Sequence, residues 1–200
     1  MINVLLVFCG SRTGHDPAHA ALAQALGALL AHRGVTLVYG GGGVGLMGVM
    51  ARASLAAGGT VVGIIPRTLM TAEIAQAGLT EMIVVETLHE RKALMHDRAD
   101  AILAIPGSIG TLDELFESMT WRELGIHDKP IWLMGPGGYW NPLLALLRHL
   151  DTAGFAPPDL DRLTVLLPDL AALERAFLDP RPLRTLDGPP RGNAMTDTRI

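Results

Sequence analysis

The sequence predicts an α/β fold, a Rossmann-like, doubly wound parallel sheet with helices on both faces. Short apolar runs alternate along the chain with longer segments of helix-forming residues. Runs such as 101–105 (AILAI) contain no polar residue, which is typical of strands buried on both faces. Glycine turns at 40–45 and 107–110 directly follow two of these runs. In open α/β sheets, turns at the carboxyl ends of strands form the ligand-binding crevice.

Each predicted element has a local reason. The helix at 18–33 consists of strong helix formers and ends at Gly34, because glycine readily terminates a helix. Residues 67–80 lack a clear period and are predicted as an irregular segment with a short helix around 71–77. In chain order, strands are predicted at 3–8, 35–39, 60–65, 81–85, 101–105, 130–134 and 164–167, and the other helices at 46–57, 89–98, 111–124, 141–153 and 169–177.

A single domain is predicted for residues 1–179. A chain of 200 residues that is 49% hydrophobic can bury one substantial core. Residues 180–200 are rich in proline, arginine, glycine and aspartate and contain few apolar side chains. Such a composition does not bury enough apolar surface to order itself, so we expect a loose C-terminal tail.

Charge and cysteine content restrict the possible partners and compartment. The formal net charge of -4 argues against a general nucleic-acid binder, which usually presents a basic face. The N-terminal sequence MINVLLVFCGSR has no basic leader, and its apolar run is too short for a signal peptide or a membrane span. Cys9, the single cysteine, suits a reducing compartment. We therefore expect a cytoplasmic protein that binds neither nucleic acid nor membrane.

The stretch 101–117 (AILAIPGSIGTLDELFE) predicts a strand, a glycine turn and a helix. Such a junction directs the free N–H groups and the positive end of the helix towards the turn, where an anion such as phosphate can bind. A carboxylate, Glu114, lies one turn inside the predicted helix. By itself the stretch is also compatible with a plain structural connection between strand and helix.

The first glycine turn superficially matches a dinucleotide fingerprint. Gly40, Gly42 and Gly45 give the spacing G-x-G-x-x-G after a strand and before a helix. No acidic residue follows about twenty positions later at a strand end, so the carboxylate that would bind an NAD ribose is missing. The turn is expected to face the same crevice as the turn at 107–110.

Two adjacent cations, Arg91 and Lys92, lie near the start of the helix predicted at 89–98. Cations at a helix N-terminus oppose the helix dipole, and an anion held nearby would relieve that conflict. A functional role for this pair is therefore favoured over a solvated charged face.

Taken together, the motifs resemble those of the Lonely guy family. They are FCGSR at 8–12, VYGGGGVGLMG at 38–48, HERKALM at 89–95, ADAILAIPGSIGTLDELFE at 99–117 and TWRELGIHDKPIWLM at 120–134. Members of the family are cytokinin riboside 5'-monophosphate phosphoribohydrolases, often mislabelled lysine decarboxylases. The resemblance extends in collinear order over about 3–155.

The resemblance implies a set of site residues. The family's catalytic arginine and glutamate fall on Arg91 and Glu114, and its motif PGGxGTxxE falls on 106–114, where Ser108 replaces a glycine. A side chain at Ser108 is expected to narrow the approach of phosphate or to adjust the turn. The nucleotide site would be lined by Glu73, Lys92, Gly107, Ser108, Ile109, Gly110, Thr111, Leu112, Asp113 and Thr120, with Gly42, Gly43 and Gly45 from the first glycine turn.

The implied reaction is hydrolysis of the N-glycosidic bond of an adenosine 5'-monophosphate, either AMP or N6-prenyl-AMP, to free base and ribose 5-phosphate. Bond cleavage develops positive charge on the ribose, which a carboxylate such as Glu114 can stabilise while it activates water. The resemblance further implies a homodimer or higher homo-oligomer and no metal or redox cofactor.

Three other interpretations remain at this point. A non-catalytic nucleotide or molybdenum-cofactor carrier of the same fold would keep the glycine turn without hydrolysis. A pyridoxal-dependent decarboxylase needs a Schiff-base lysine, and Lys92 and Lys129 are the only lysines. A metal hydrolase is suggested only by the i, i+4 spacing of His15 and His19, which no cysteine or carboxylate cluster completes.

Overall fold

The protein is described here by a computed structural model covering residues 1–70, 75–156 and 160–179. Glu73 and the predicted tail at 180–200 therefore lie outside the described residues. The strands are β1 Val4–Phe8, β2 Thr36–Tyr39, β3 Val61–Pro66, β4 Glu81–Val85, β5 Ala101–Ala104, β6 Ile131–Leu133 and β7 Val165–Leu166. The α-helices are α1 Pro17–His32, α2 Gly45–Ala56, α3 Leu88–Arg98, α4 Ile109–Glu123, α5 Asn141–Thr152 and α6 Leu170–Leu178, with 3-10 turns at Arg67–Leu69, Pro136–Gly138 and Leu160–Leu163.

The seven strands form one sheet in the order β4-β3-β2-β1-β5-β6-β7, and every pairing is parallel. The chain builds outwards from β1 to β4 and then returns to place β5 on the other side of β1. The order therefore reverses between β1 and β5, and the carboxyl ends of these two strands flank the crevice where doubly wound folds bind ligands. The predicted fold class is confirmed.

Alternate residues of the strands enter two separate cores. On one face, Leu5 and Val7 of β1 pack in a cluster with buried side chains of α1, α2 and α6. On the other face, Leu6 and Phe8 pack with buried side chains of α3, α4 and α5. This period of two along apolar strands explains why the sheet is covered on both sides. No α-helix in the described part of the chain is both long and apolar enough to cross a membrane.

The structure corrects two predicted elements. Helix α4 begins at Ile109 rather than at residue 111. Ser108 is its N-cap in an extended conformation, and the Ser108 backbone carbonyl accepts the Leu112 N–H at 3.0 Å. The described part of the helix predicted around 71–77 is not helical. Ala75 forms an antiparallel bridge with Gly42, so this segment docks on the first glycine turn like a short strand.

Candidate active site

Three turns meet beyond the carboxyl ends of β1, β2 and β5. The turn after β1 is tied to the turn after β5 by the Gly10 N–H, which donates to the Pro106 carbonyl at 3.0 Å. It is tied to the start of α2 by the Leu46 N–H, which donates to the Gly10 carbonyl at 3.0 Å. The topological switch point is therefore a connected set of backbone turns, and the predicted common crevice lies there.

Arg91 and Glu114 form an ion pair in this crevice. Arg91 Nη2 lies 3.7 Å from Glu114 Oε1, and their side chains are 7% and 15% exposed. The capping box of Thr87 and Glu90 fixes the start of α3, one turn before Arg91. The sequence thus brings a cation from α3 and a carboxylate from α4 together across the end of the sheet.

Gly40, at the end of β2, makes room for Arg91. A Cβ atom added to Gly40 would lie 1.9 Å from Arg91 Nη2 and 2.9 Å from its Cζ. The guanidinium therefore lies directly on the glycine backbone, and any larger residue would displace it from its position beside Glu114.

The N-terminus of α4 faces the same region. The Leu112 N–H is the first that donates to a carbonyl within the helix. The N–H groups of 109–111 come before it and have no acceptor in the helix, so they are available to an anion. Ser108 is exposed and does not cap the helix through its side chain. Its φ of -110° is ordinary for a residue with a side chain, so a serine is accommodated here without backbone strain.

Tyr139 holds the other side of this turn. Its hydroxyl accepts the Gly107 N–H at 3.2 Å and donates to the Gly107 carbonyl. The Gly107 amide, one of the expected phosphate donors, is therefore directed to a tyrosine. Thr111 is buried, and its Oγ1 would lie 2.0 Å from a Cβ on Gly107, which explains why glycine is needed there.

In the first glycine turn, the start of α2 is covered by the backbone of the turn after β1. A Cβ on Gly45 would lie 2.2 Å from the backbone of Ser11, so the turn after β1 already fills that place. The carbonyl of Gly43 accepts Arg52 Nη1 at 2.9 Å. The structure thus packs Gly42 and Gly45 against other backbone segments, whereas Gly43 accepts a side chain and Gly40 contacts the site residue Arg91.

Lys92 pairs with carboxylates of α4 other than Glu114. Its Nζ lies 3.1 Å from Asp113 Oδ2 and also pairs with Glu117, and the lysine side chain is 12% exposed. Burial by itself would lower the pKa of Lys92, but the hydrogen bonds and charges of Glu117 and Asp113 outweigh it and raise the pKa above 10.5. Lys92 is therefore a firmly charged link between α3 and α4.

The outer stripe is our name for five side chains of α4 that line one open pocket, namely Ile109, Leu112, Phe116, Thr120 and Trp121. These spacings of three and four residues lie on one helix face. Together with Lys92, Asp113 and Glu117 they line an open pocket of about 610 Å³. Thr120 lies about 9 Å along the helix from Glu114, so within one chain it is not brought to the ion pair.

A buried polar cluster lies one turn behind the ion pair. His96 Nε2 is 2.8 Å from Ser118 Oγ, and the His96 ring packs 4.7 Å from the ring of Trp121. His127 Nε2 lies 3.1 Å from the Ser118 carbonyl, and Lys129 Nζ donates to the His96 carbonyl. Burial, followed by the charges of His127, Lys129 and Lys92, lowers the pKa of His96 from 6.5 to about 4.

This pKa gives a stability prediction for wild type and His96→Leu. In the folded state His96 binds its proton only near pH 4, whereas in the unfolded state it binds a proton near pH 6.5. The contribution of His96 to the free energy of unfolding is therefore fully present above pH 6.5 and is lost as the pH falls from 6.5 to about 4. We expect the free energy of unfolding to fall by about 2 kcal/mol more in wild type than in the variant between pH 7 and pH 5. Urea unfolding at both pH values measures this difference. Equal losses in the two proteins would contradict the prediction.

The metal-hydrolase interpretation gains no support from the geometry. Within the described ranges, no three histidine, cysteine or carboxylate side chains come together in a way that could hold a metal ion. His19 instead packs edge-on against Tyr139, with ring centroids 5.6 Å apart.

Sequence reasoning missed several residues that shape the site. Gly40 is one of four successive glycines, and nothing local distinguishes it from its neighbours. Tyr139 reaches Gly107 from 32 residues away, so no local pattern pointed to it. Glu117 and His96 did carry a signal in the sequence. Glu117 lies four residues after Asp113, and His96 lies four residues after Lys92, so each shares a helix face with a charged residue of the predicted site.

Comparison with known proteins adds independent information. The family model described as "Possible lysine decarboxylase" matches residues 47–177. A probable cytokinin riboside 5'-monophosphate phosphoribohydrolase of Oryza sativa subsp. japonica is 45% identical over 171 residues, covering 86% of this chain and 77% of the relative. A cytokinin riboside 5'-monophosphate phosphoribohydrolase of Rhodococcoides fascians is 42% identical over 175 residues, covering 87% of this chain and 88% of the relative.

Among solved structures, the molybdenum cofactor binding protein from the phototrophic bacterium Rippkaea orientalis has a TM-score of 0.66. It is 19% identical, and the match covers 89% of this chain and 96% of that chain. At this identity the likeness supports the fold alone. The sequence relatives, at more than twice that identity, decide the family. The chain belongs to the Lonely guy family, whose members include the cytokinin riboside 5'-monophosphate phosphoribohydrolases.

Proposed function

We propose that this protein is an enzyme that hydrolyses the N-glycosidic bond of adenosine 5'-monophosphates, with or without an N6 substituent, and releases the free base and ribose 5-phosphate. The observation that carries the proposal is the largely buried pair of Arg91 and Glu114 beside the N-terminus of α4, at the switch point of the sheet. This arrangement offers a carboxylate, a cation and unpaired helix amides within one crevice.

The names of the relatives support an enzyme over a carrier. Proteins 41–45% identical to this chain are named as phosphoribohydrolases acting on cytokinin riboside 5'-monophosphates. The molybdenum-cofactor proteins share 19% identity and the fold. The chain also has both Arg91 and Glu114, the two residues onto which the family's catalytic pair falls by resemblance, and this supports hydrolysis over carriage. The non-catalytic alternative is therefore not favoured.

Glu114 is the proposed catalytic carboxylate. As the bond between ribose C1' and the base nitrogen breaks, its electron pair leaves with the base and the ribose becomes positively charged. A negatively charged Glu114 stabilises that charge and accepts a proton from the water that attacks C1'. The departing base takes up a proton from solvent and Glu114 returns its proton to solvent, so the net reaction consumes one water and gives neutral base and ribose 5-phosphate. Arg91 holds Glu114 in position and keeps its charge balanced.

The phosphate group is proposed to bind at the start of α4. The amides of 109–111 point out of the helix end, and the dipole favours an anion there. Ser108 adds an exposed hydroxyl at the same place. Lys92 is held by Asp113 and Glu117 in this arrangement, so its proposed contribution is a nearby positive charge rather than a direct contact with phosphate.

Pyridoxal-dependent decarboxylation, which the description of the family model suggests, does not fit the two lysines. A Schiff base forms on a neutral amine, whereas the paired carboxylates raise the pKa of Lys92 and keep it charged. Lys129 Nζ donates to the His96 carbonyl inside the α3–α4 cluster. Neither amine is presented to the crevice as a nucleophile.

The active form is proposed to be a homodimer, as the family resemblance implies, with residues 1–179 acting as one catalytic domain in the cytoplasm. The outer stripe is the surface we propose for the second copy. Ile109 is 78% exposed there although it is apolar, and it adjoins Leu112 and Phe116 around the open pocket. A second subunit would cover these side chains and bring Thr120 close to a neighbouring crevice.

The dimer proposal predicts the mass of a charge-introducing variant. Light scattering of wild type should give about twice the chain mass of 21.3 kDa. Phe116→Glu places a carboxylate in the outer stripe and should give the monomer mass, because an unpaired buried charge opposes association. Phe155→Glu is the matched control, since Phe155 is 87% exposed outside the stripe and should leave the mass unchanged. A Phe116→Glu protein with the wild-type mass would contradict the proposal.

The function itself is tested with a substrate panel. AMP, N6-isopentenyl-AMP and adenosine are incubated with the purified protein, and liberated base is measured by chromatography. We expect base from one or both monophosphates and far less from adenosine, which lacks the group that the α4 N-terminus would bind. Monophosphates recovered intact after long incubation would refute the enzyme proposal and leave a binding protein.

A further inference from the structure

We infer that His96 is a positioning residue, which sets the distance between Arg91 and Glu114 through its hydrogen bond to Ser118. The inference rests on the proposed function, since it concerns the pair that would perform the reaction. It adds a residue that touches neither substrate nor the reacting atoms.

His96 and Ser118 connect the two helix turns that follow the pair. His96 lies five residues after Arg91 on α3, and Ser118 lies four residues after Glu114 on α4. Their side chains are 2.8 Å apart, and the two residues are 4% and 0% exposed. A buried polar contact of this kind fixes one helix relative to the other, because separating the partners would leave a buried polar group unpaired.

The contact continues to the backbone of Glu114. Ser118 Oγ donates to the Glu114 carbonyl at 2.7 Å, so its hydrogen is used and it accepts from His96. The hydrogen-bond network therefore assigns the His96 proton to Nε2. From the other side, Lys129 Nζ holds the His96 carbonyl. A chain of hydrogen bonds thus runs from the end of α3 to the residue that carries the catalytic carboxylate.

The phosphate turn is held by other contacts. The Tyr139 hydroxyl binds both backbone groups of Gly107, and Gly10 binds the Pro106 carbonyl. Loss of the His96 contact should therefore move Glu114 relative to Arg91 and leave the phosphate amides in place. The expected effect is on kcat rather than on KM.

The test compares His96→Leu, His96→Gln, Ser118→Ala and Ser54→Ala. Leucine removes the donor, whereas glutamine can place an amide N–H where Nε2 was. We expect kcat for base release to fall at least tenfold in His96→Leu and Ser118→Ala with KM changed less than threefold, since small misplacement of catalytic groups costs one to two orders of magnitude. His96→Gln should recover most of the loss. Ser54→Ala is the control, because Ser54 is also 0% exposed but its Oγ lacks a hydrogen-bond partner among the described residues.

Unfolding curves accompany the kinetics, so that only folded protein is counted. A merely structural role predicts lower stability with normal kcat per folded molecule, and that result overturns the inference. So does a loss of activity that glutamine fails to rescue, or a loss confined to KM.

A crystal structure of His96→Leu provides a readout that needs no turnover. We expect Arg91 Nη2 and Glu114 Oε1, 3.7 Å apart in wild type, to separate beyond the ion-pair limit of about 4 Å. An unchanged separation overturns the inference even if the wild-type protein releases no base. Conversely, a wild-type protein without activity but with a widened pair in the variant refutes the proposed function and leaves the positioning role standing.

Discussion

Glu114→Gln is expected to lower kcat for base release about a thousandfold, the largest effect of any single substitution in this protein. Glutamine has nearly the same shape and can still contact Arg91, but it carries no charge and cannot accept a proton from water. General base catalysis by a positioned carboxylate contributes about 10²–10⁴ in rate, and charge stabilisation of the ribose is lost at the same time. KM should change much less, because the phosphate amides belong to the start of α4.

The measurement is liberated base under saturating monophosphate, with the melting temperature recorded for each protein. Glu174→Gln is the matched control, since Glu174 also pairs with an arginine, Arg33, at 2.7 Å but lies on α6. It should retain wild-type kcat. A Glu114→Gln enzyme with more than a tenth of wild-type kcat would remove Glu114 from the catalytic role and require another carboxylate.

Local signals were sufficient for the strands and for most helix ends. Strand β4 occupies the predicted residues, 81–85, because a short apolar run rich in β-branched residues marks it locally. The start of α4 was predicted two residues late. Ser108 and Gly110 look like turn residues in sequence, but Ser108 is an N-cap and the first helical turn already contains Gly110.

The roles of the site residues and the contacts between them had different sources: the family resemblance and the three-dimensional fold. The roles of Arg91 and Glu114 followed from the family resemblance and remain predictions until kinetics test them. The contacts among the neighbouring side chains could not have been predicted locally, because they join distant parts of the chain. Lys92 meets Asp113 and Glu117 only through the packing of α3 on α4. Long-range contacts of this kind are fixed by the sheet order, which places β5 beside β1.

Gly40→Ala is the second substitution for which we expect a large effect, about a hundredfold loss of kcat. The added Cβ would lie 1.9 Å from Arg91 Nη2, far inside van der Waals contact, so the guanidinium has to leave its place beside Glu114. Because the clash is with the end of a long side chain, the arginine can move and the fold need not. We therefore expect the free energy of unfolding to fall by no more than about 1 kcal/mol, which is within the usual range for single substitutions.

Gly58→Ala separates this effect from the general cost of replacing a turn glycine. Gly58 has φ 78° and open space where its Cβ would be. Alanine there should cost about 1–2 kcal/mol of stability through backbone strain but leave kcat unchanged. The two alanine variants should thus show opposite patterns, one losing activity and the other losing stability. A Gly40→Ala enzyme with wild-type kcat would mean that catalysis does not depend on the position of Arg91 over β2, and the ion pair would then have a structural role only.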